Sequence, residues 1–222
     1  MYVVITGASR GIGLELTRLA LSKGHHVLAV ARHPDESADL KSLMSDNNQL
    51  EALKLDLLEE GAPEKLAKAI STWPCVDVVI NNAGIYDNDL TSEAFEKTFL
   101  TNTIKPFFVT HALMPFLKKS KRPVSAQVTS QMGSLVDNTS GGAYSYRASK
   151  AALNMLFKNM AIDENWLITL QLHPGWVQTR MGGENAPVTP RESAEGIWNM
   201  IENADSSQSG KFFTFRGETI PW

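Results

Sequence analysis

The sequence predicts an α/β domain built on a mostly parallel, doubly wound seven-stranded sheet with helices on both faces. Three observations predict it. Short β-branched runs alternate with longer amphipathic stretches along the whole chain. The runs lack the two-residue polar alternation of a half-exposed strand, as expected where both faces are covered. The 222 residues, 43% hydrophobic and 20% charged, suffice for one large domain and contain no linker, internal repeat or low-complexity tract. Strand–helix alternation implies βαβ units with right-handed crossovers, so residues 1–222 are read as a single domain.

Element by element, Tyr2-Val3-Val4-Ile5-Thr6 is the first strand. A helix follows with Ile12, Leu16, Leu19 and Ala20 on one face, stopped by Gly24. The second strand covers 27–30, and the polar stretch 32–39 opens a helix that ends near Asn47. A third strand is expected at 53–57 and a helix at 62–72. The fourth strand, 76–80, is apolar except for Asp77. Residues 92–119 read as a long helical stretch with breaks or kinks at Pro106 and Pro115. Then come a strand at 124–129, a long helix at 144–162, a strand at 168–172, a helix at 190–201 and a last strand at 211–215.

Composition excludes several function classes. Lys plus Arg is 21 against 24 Asp plus Glu, a net charge of -3, which is not the footprint of a dedicated nucleic-acid binder. The one cysteine, Cys75, has no partner for an intrachain disulfide, and no Cys/His cluster has metal-ligand spacing. Cys75 reads as a small hydrophobe rather than a nucleophile. No apolar run approaches the ~20 residues of a membrane span. Met1 leads straight into a strand, so the expectation is a soluble cytoplasmic protein.

In sheets of this kind ligands bind beyond the carboxyl ends of the strands. After the first strand stands Thr6-Gly7-Ala8-Ser9-Arg10-Gly11-Ile12-Gly13. Glycines there allow a tight turn, a close approach to a phosphate and a helix whose first N–H groups point at it. The spacing G-x-x-x-G-x-G differs from the G-x-G-x-x-G fingerprint, and a plain tight turn is the alternative. After the second strand stands Arg32, where NAD-preferring sites place an acid. Arg32 and Arg10 can pair with a 2′-phosphate, which favours NADP(H) over solvated surface charge. Asp56, followed by Leu57, closes the expected third strand and offers a carboxylate to an adenine amino group or to the next helix as a cap. Asn81-Asn82-Ala83-Gly84 after the fourth strand can tie strand ends together and leave room for a ribose.

The second half supplies a reacting pair. Tyr146 and Lys150 lie four residues apart at the start of a long helix, hence on one face. A phenol of ordinary pKa near 10 needs a neighbouring cation to move a proton at neutral pH. Tyr144 has Ala148 at the same spacing and lacks that cation. Ser130, just after the fifth strand, can share a substrate oxygen with Tyr146.

These motifs resemble the short-chain dehydrogenase/reductase family over essentially the whole chain, in Thr6-Gly7-x-x-x-Gly11-x-Gly13, Asn81-Asn82-Ala83-Gly84, Asn102, Ser130, Tyr146-x-x-x-Lys150 and Pro174-Gly175. The stretch 173–179 and the ending 217–222 are most similar to its C-factor and sniffer-type carbonyl reductase branch. The resemblance implies a Rossmann fold, an NADPH cofactor and a small carbonyl substrate. It implies that Tyr146 is the general acid, that Lys150 lowers the phenol's pKa and binds the nicotinamide ribose, that Ser130 bonds the substrate oxygen and that Asn102 holds a relay water. It implies further that Gly7, Ser9, Arg10, Gly11, Ile12, Gly13, Arg32, Asp56, Leu57, Asn82, Ala83 and Gly84 contact the cofactor. Pro174, Gly175, Val177 and Thr179 would line its nicotinamide and pyrophosphate side, and no metal is implied. One departure is a longer Ser130–Tyr146 segment, with a polar insertion at 137–142.

The function expected is NADPH-dependent reduction of a ketone, aldehyde or quinone. Two alternatives stand beside it: a non-catalytic NAD(P)-binding signalling protein of the C-factor kind, and an NAD-dependent alcohol dehydrogenase. Phe95, Phe99, Phe107 and Phe108 read as core or as the surface of a homodimer. Trp176 and Leu135 are candidate pocket residues, and the glycine-rich 181–187 segment is either a lid over substrate or a flexible loop.

Overall fold

The computed structural model describes residues Met1–Trp222. Its chain order is β1 (Tyr2–Thr6), α1 (Gly11–Ser22), β2 (His26–Ala31), α2 (Ala38–Asp46), β3 (Leu50–Lys54), α3 (Ala62–Ala69), β4 (Val78–Asn81), α4 (Ser92–Phe99), α5 (Lys105–Leu117), β5 (Val124–Val128), α6 (Tyr144–Asp163), β6 (Ile168–His173), α7 (Pro190–Glu202) and β7 (Lys211–Thr214). One sheet of order β3-β2-β1-β4-β5-β6-β7 holds all seven strands, and every neighbouring pair is parallel. The order reverses between β1 and β4, so a crevice opens where their carboxyl ends diverge.

Alternate strand residues feed two cores. Val3, Ile5, Val27, Ala29, Val78 and Ile80 pack with Leu16, Ala20, Ile197 and Ile201 of α1 and α7. Val4, Leu28, Val30 and Val79 pack on the other face with Leu66, Leu113, Leu153 and Phe157 of α3, α5 and α6. Towards β5 and β6 that second face turns polar: Ser125, Gln127, Thr169 and Gln171 are all buried there.

Two boundaries differ from the sequence reading. The third strand is Leu50–Lys54, three residues before the expected 53–57. It is the sheet edge, paired to β2 alone, and its burial is weak. The apolar Leu55 and Leu57 that suggested a strand are buried in the α3-side core beyond the ladder, although Leu55 N still donates to Ala31 O at 2.9 Å. Asp56 therefore does not close a strand. The long stretch 92–119 breaks at neither proline. Pro106 sits in the first turn of α5, where its missing N–H is not needed, and Pro115 lies inside α5 two residues before its end. The interruption is a π-helical turn, Leu100–Ile104, centred on Asn102. Such turns insert one residue into the helix and often mark functional positions.

Candidate active site

The amino-terminal half of the crevice is shaped by missing side chains. A Cβ on Gly13 would stand 2.3 Å from Gly7 O and 2.5 Å from Asn82 Nδ2, so only glycine lets α1 start this close to the turn. No side chain caps α1, and its first N–H groups are left facing the turn. Gly7 and Ala8 give their own N–H groups to Val30 O. Asn82 splices the turn to β4, donating from Nδ2 to Thr6 O at 2.9 Å and Gly7 O at 3.2 Å, while Thr6 Oγ1 accepts from the N–H groups of Asn82 and Ala83. Asn81 ties β4 to its neighbours through Thr110 and Gln127, each at 2.8 Å. The strand-end tie expected of the two asparagines is thus present.

Arg10, at the cap position of α1, and Arg32, first after β2, are exposed and form no ion pair. Ser37 Oγ donates to Ser9 O at 2.8 Å and so holds the segment after β2 beside the glycine turn. Asp56 spends one oxygen on the N–H of Leu58 at 2.9 Å, as a turn cap, and its neighbour Leu57 is a core residue. On the far wall, a Cβ on Gly11 would touch Thr179 Cγ2 at 3.2 Å, which brings the segment after β6 against the turn. Pro174 O accepts from Ser193 Oγ, Gly175 packs on Phe215 and Val188, and Val177 bridges Val188. The 181–187 segment is pinned: Trp176 Nε1 donates to Gly182 O at 2.7 Å and Gln178 Nε2 to Ala186 O at 2.9 Å. Ile12 is half-buried against the α1-side core.

The carboxy-terminal half is built from buried polar side chains. Tyr146 is 8% exposed in the first turn of α6, with the ring of Tyr86 edge-on at 4.9 Å. Burial pushes its phenol up to about 12, with a Ser130 hydrogen bond pulling the other way and Tyr86 adding to the rise. Lys150 is 4% exposed, and burial pulls it down to about 8. Its Nζ donates to Val128 O at 2.9 Å and lies 5.8 Å from the Tyr146 ring centre. Burial, not the neighbouring ammonium, sets the direction of the Tyr146 shift. Ser130 accepts from the N–H of Met132 at 3.1 Å, which fixes its hydroxyl at the end of β5.

Asn102 is fully buried on the π-helical turn. Its Oδ1 accepts from Ile85 N and its Nδ2 donates to Ile85 O, both at 2.9 Å, and to Ser149 Oγ at 3.1 Å. The side chain thus clamps the Gly84–Ile85 turn, and a Cβ on Gly84 would lie 3.2 Å from Asn102 Oδ1 and 3.7 Å from Lys150 Nζ. Tyr86, Ser37 and the buried amides of α6 and β6 were missed by the sequence reading. Tyr86 carried a signal in its place two residues after the Asn81–Gly84 turn. The imidazole of His173, at the end of β6, is pulled by burial down to about 4. No group of three His, Cys, Asp or Glu side chains stands together as a metal site.

A glycine cradle under an uncapped helix, with Ser130 at the end of β5 facing Tyr146 and Lys150 of α6, fits an oxidoreductase of the nicotinamide-dependent class. The short chain dehydrogenase family model matches residues 1–188, and the chain belongs to that family. C-signal of Myxococcus xanthus is 42% identical over 163 residues, covering 70% of this chain and 98% of the relative. The carbonyl reductase Sniffer of D. melanogaster superposes with a TM-score of 0.95 at 31% identity, covering 100% of this chain and 99% of the other. The NADPH-bound carbonyl reductase from chicken fatty liver gives 0.94 at 31% identity, with 100% and 98% covered. No helix is long and apolar enough to cross a membrane.

Proposed function

We propose that the protein is a cytoplasmic NADPH-dependent carbonyl reductase in which Tyr146 protonates the substrate oxygen. The observation that carries this reading is the Tyr146 environment. The phenol is buried in the first turn of α6, with the Lys150 ammonium 5.8 Å from its ring centre, and a phenol that is neutral at physiological pH enters a reduction as the acid. The NADP(H) preference is supported by the two unpaired guanidiniums of Arg10 and Arg32, and by the NADPH-bound carbonyl reductase among its structural relatives. An NAD-dependent alcohol dehydrogenase would want an acid where Arg32 stands.

Bound NADPH supplies the hydride that reaches the carbonyl carbon. The chain does the rest. Ser130 holds the carbonyl oxygen, Tyr146 Oη delivers its proton there, and the product leaves as an alcohol. Lys150 opposes the charge left on the phenol and holds the nicotinamide ribose. Asn102 fixes Gly84–Ile85 beside Lys150 and keeps a lone pair of Oδ1 for a relay water. The Gly7–Gly13 turn, with Ser9 and Ile12, would receive the pyrophosphate, and Asp56 and Leu57 would border the adenine. Asn82, Ala83, Gly84, Pro174, Gly175, Val177 and Thr179 would enclose the ribose and nicotinamide. Tyr86, Leu135, Val136, Trp176 and Met181 are exposed apolar side chains on segments flanking Ser130 and Tyr146, which suits a ketone, aldehyde or quinone with an apolar body. The pinned 181–187 segment is the lid over it.

Two copies would pair through α4, α5 and α6. Phe95, Phe99, Leu100 and Ile104 line an open apolar groove of about 470 Å³, and Phe108 and Met155 are 50% and 60% exposed. The C-signal relative favours one second reading, a signalling protein that binds the nucleotide without turnover. Tyr146→Phe separates the two. Turnover of a quinone with NADPH should fall by roughly 10³-fold, within the range for losing a general acid, while calorimetry finds NADPH affinity nearly unchanged. Wild-type turnover in that variant would overturn the mechanism.

A further inference from the structure

Two carboxamides beneath Lys150 have nothing in the protein to bond to. Asn154, one helical turn beyond Lys150 on the buried face of α6, is 2% exposed, and neither its Oδ1 nor its Nδ2 has a partner. Gln171, in β6, is 0% exposed, and neither its Oε1 nor its Nε2 has one. The strand neighbours give Gln171 no hydrogen bond. Gln127, in register on β5, gives Nε2 to Ser125 and accepts from Asn81 at Oε1, and Phe212 on β7 is apolar.

The two amides lie at one height in the layer. Lys150 reaches Val128 O at the carboxyl end of β5, and Thr169 Oγ1 near the start of β6 donates to Phe157 O at 3.1 Å, so α6 runs antiparallel to the strands. Climbing from Thr169 to Gln171 takes roughly 6.6 Å, which α6 covers in about four residues. Asn154 stands three residues back from Phe157, about 4.5 Å, and the lean of its side chain makes up much of the remaining height. Helical side chains lean towards the helix amino terminus, so the Asn154 head group lies under the Lys150 stem. Four amide atoms buried without partners carry a full desolvation penalty, and a single water bridging two amides relieves it with two to four hydrogen bonds.

We propose that Asn154 and Gln171 hold an internal water beneath Lys150, and that this water solvates the Lys150 ammonium, making Asn154 a positioning residue for the reaction. Lys150 has one protein acceptor, Val128 O, for three N–H groups. The groups that face it are neutral: Tyr146 from its own helix, Asn102 from the π-helical turn and the Val128 carbonyl from β5. No carboxylate offsets its burial, which alone holds it near 8. Removing a dipole from that set moves the loss of the ammonium towards neutral pH.

The kinetic part of this inference rests on the proposed reductase reading; the water itself does not. Three measurements test it: thermal unfolding of Asn154→Leu, Gln171→Met and Asn154→Ser, the pH profile of kcat/KM for a quinone with NADPH, and electron density between the two amides. Asn154→Leu should lower Tm, because the water and Gln171 lose a partner, and shift the alkaline limb down by about one pH unit. Asn154→Ser, which keeps a hydroxyl for the water, should leave the limb near its wild-type position. A rise in Tm for Asn154→Leu or Gln171→Met would mean dry amides and overturn the site, as would density without a water there. A lower Tm with an unmoved limb would overturn the link to Lys150. If the wild type reduces no carbonyl, the reductase reading fails, and the pH dependence of NADPH binding reports Lys150 instead.

Discussion

At the carboxyl ends of β1 and β2 the crevice is made of backbone, glycine and two exposed arginines, whereas at β4, β5 and α6 it is made of buried polar side chains that each hold others in place. The first region works by leaving space: Gly13 admits the helix, and Arg10 and Arg32 remain solvated. The second works by desolvation, with Tyr146 pushed up to about 12 and Lys150 pulled down to about 8 by burial. The difference teaches where each end is fragile. The phosphate end should be intolerant of added atoms and tolerant of changed charge. The catalytic end should lose function when a polar group goes, yet gain stability when the group removed was a buried charge.

The largest expected effect is at the phosphate end. Gly13→Ala places a Cβ against the backbone of Gly7 and the Asn82 amide, neither of which can swing aside. It should destabilise the fold by about 3 kcal/mol, the upper part of the range for overpacking, and abolish NADPH binding. Gly24→Ala is the control: nothing lies within 4 Å, and only its left-handed backbone (φ +75) is strained. That strain costs roughly 1 kcal/mol. Denaturant unfolding of both variants decides it, and equal losses would show that the crowding around Gly13 is not what matters.

Lys150→Met tests the other half of the comparison. In the unfolded chain Lys150 titrates at its ordinary value of 10.5, and in the fold at about 8. Between those values the unfolded state binds the extra proton, so this group adds stability as pH rises from 8 to 10.5 and costs stability below 8. Replacing it with an apolar chain of similar length should therefore stabilise the protein at pH 7 by about 2 kcal/mol, with turnover lost. The gap between variant and wild type should close across pH 8 to 10.5. A Met variant less stable than wild type at pH 7 would mean that the Val128 carbonyl and its surroundings offset the burial of the charge.

The same contrast decides what could be read from the sequence. Tyr146 and Lys150 were legible because a helix converts a four-residue spacing into a shared face, and the glycine turn because strand, turn and helix follow one another directly. The parallel sheet and its two-sided cores were legible as short apolar runs without alternation. β3 was misplaced because an edge strand has no two-sided burial to mark it, so the apolar Leu55 and Leu57 outweighed it. The break at Leu100–Ile104 was unreadable for a different reason. Proline marks a lost N–H, but a π-helical turn is fixed by what its side chain reaches, here the backbone of Ile85 across the crevice. Asn154 and Gln171 were visible as polar residues inside apolar elements, but their lack of partners belongs to the packed layer alone.

Arg32→Asp carries the smallest effect and the most direct test of charge at the phosphate end. Arg32 is exposed and unpaired, so its removal breaks no contact in the fold and should leave Tm within a degree or so of wild type. Its replacement by an acid at the end of β2 changes which adenosine ribose the site accepts: a guanidinium favours a 2′-phosphate, a carboxylate favours a free 2′-hydroxyl. Calorimetric titration with NADPH and NADH at matched ionic strength should show the wild type preferring NADPH by tenfold or more, about 1.4 kcal/mol, and the variant losing or reversing that preference. Because Arg10 remains, the reversal should be incomplete, and Arg10→Ala in the same background should finish it. An unchanged ratio in Arg32→Asp would move the selectivity to Arg10 and the Ser37–Ser9 tie, and the phosphate end would then depend on fixed geometry as much as the catalytic end does.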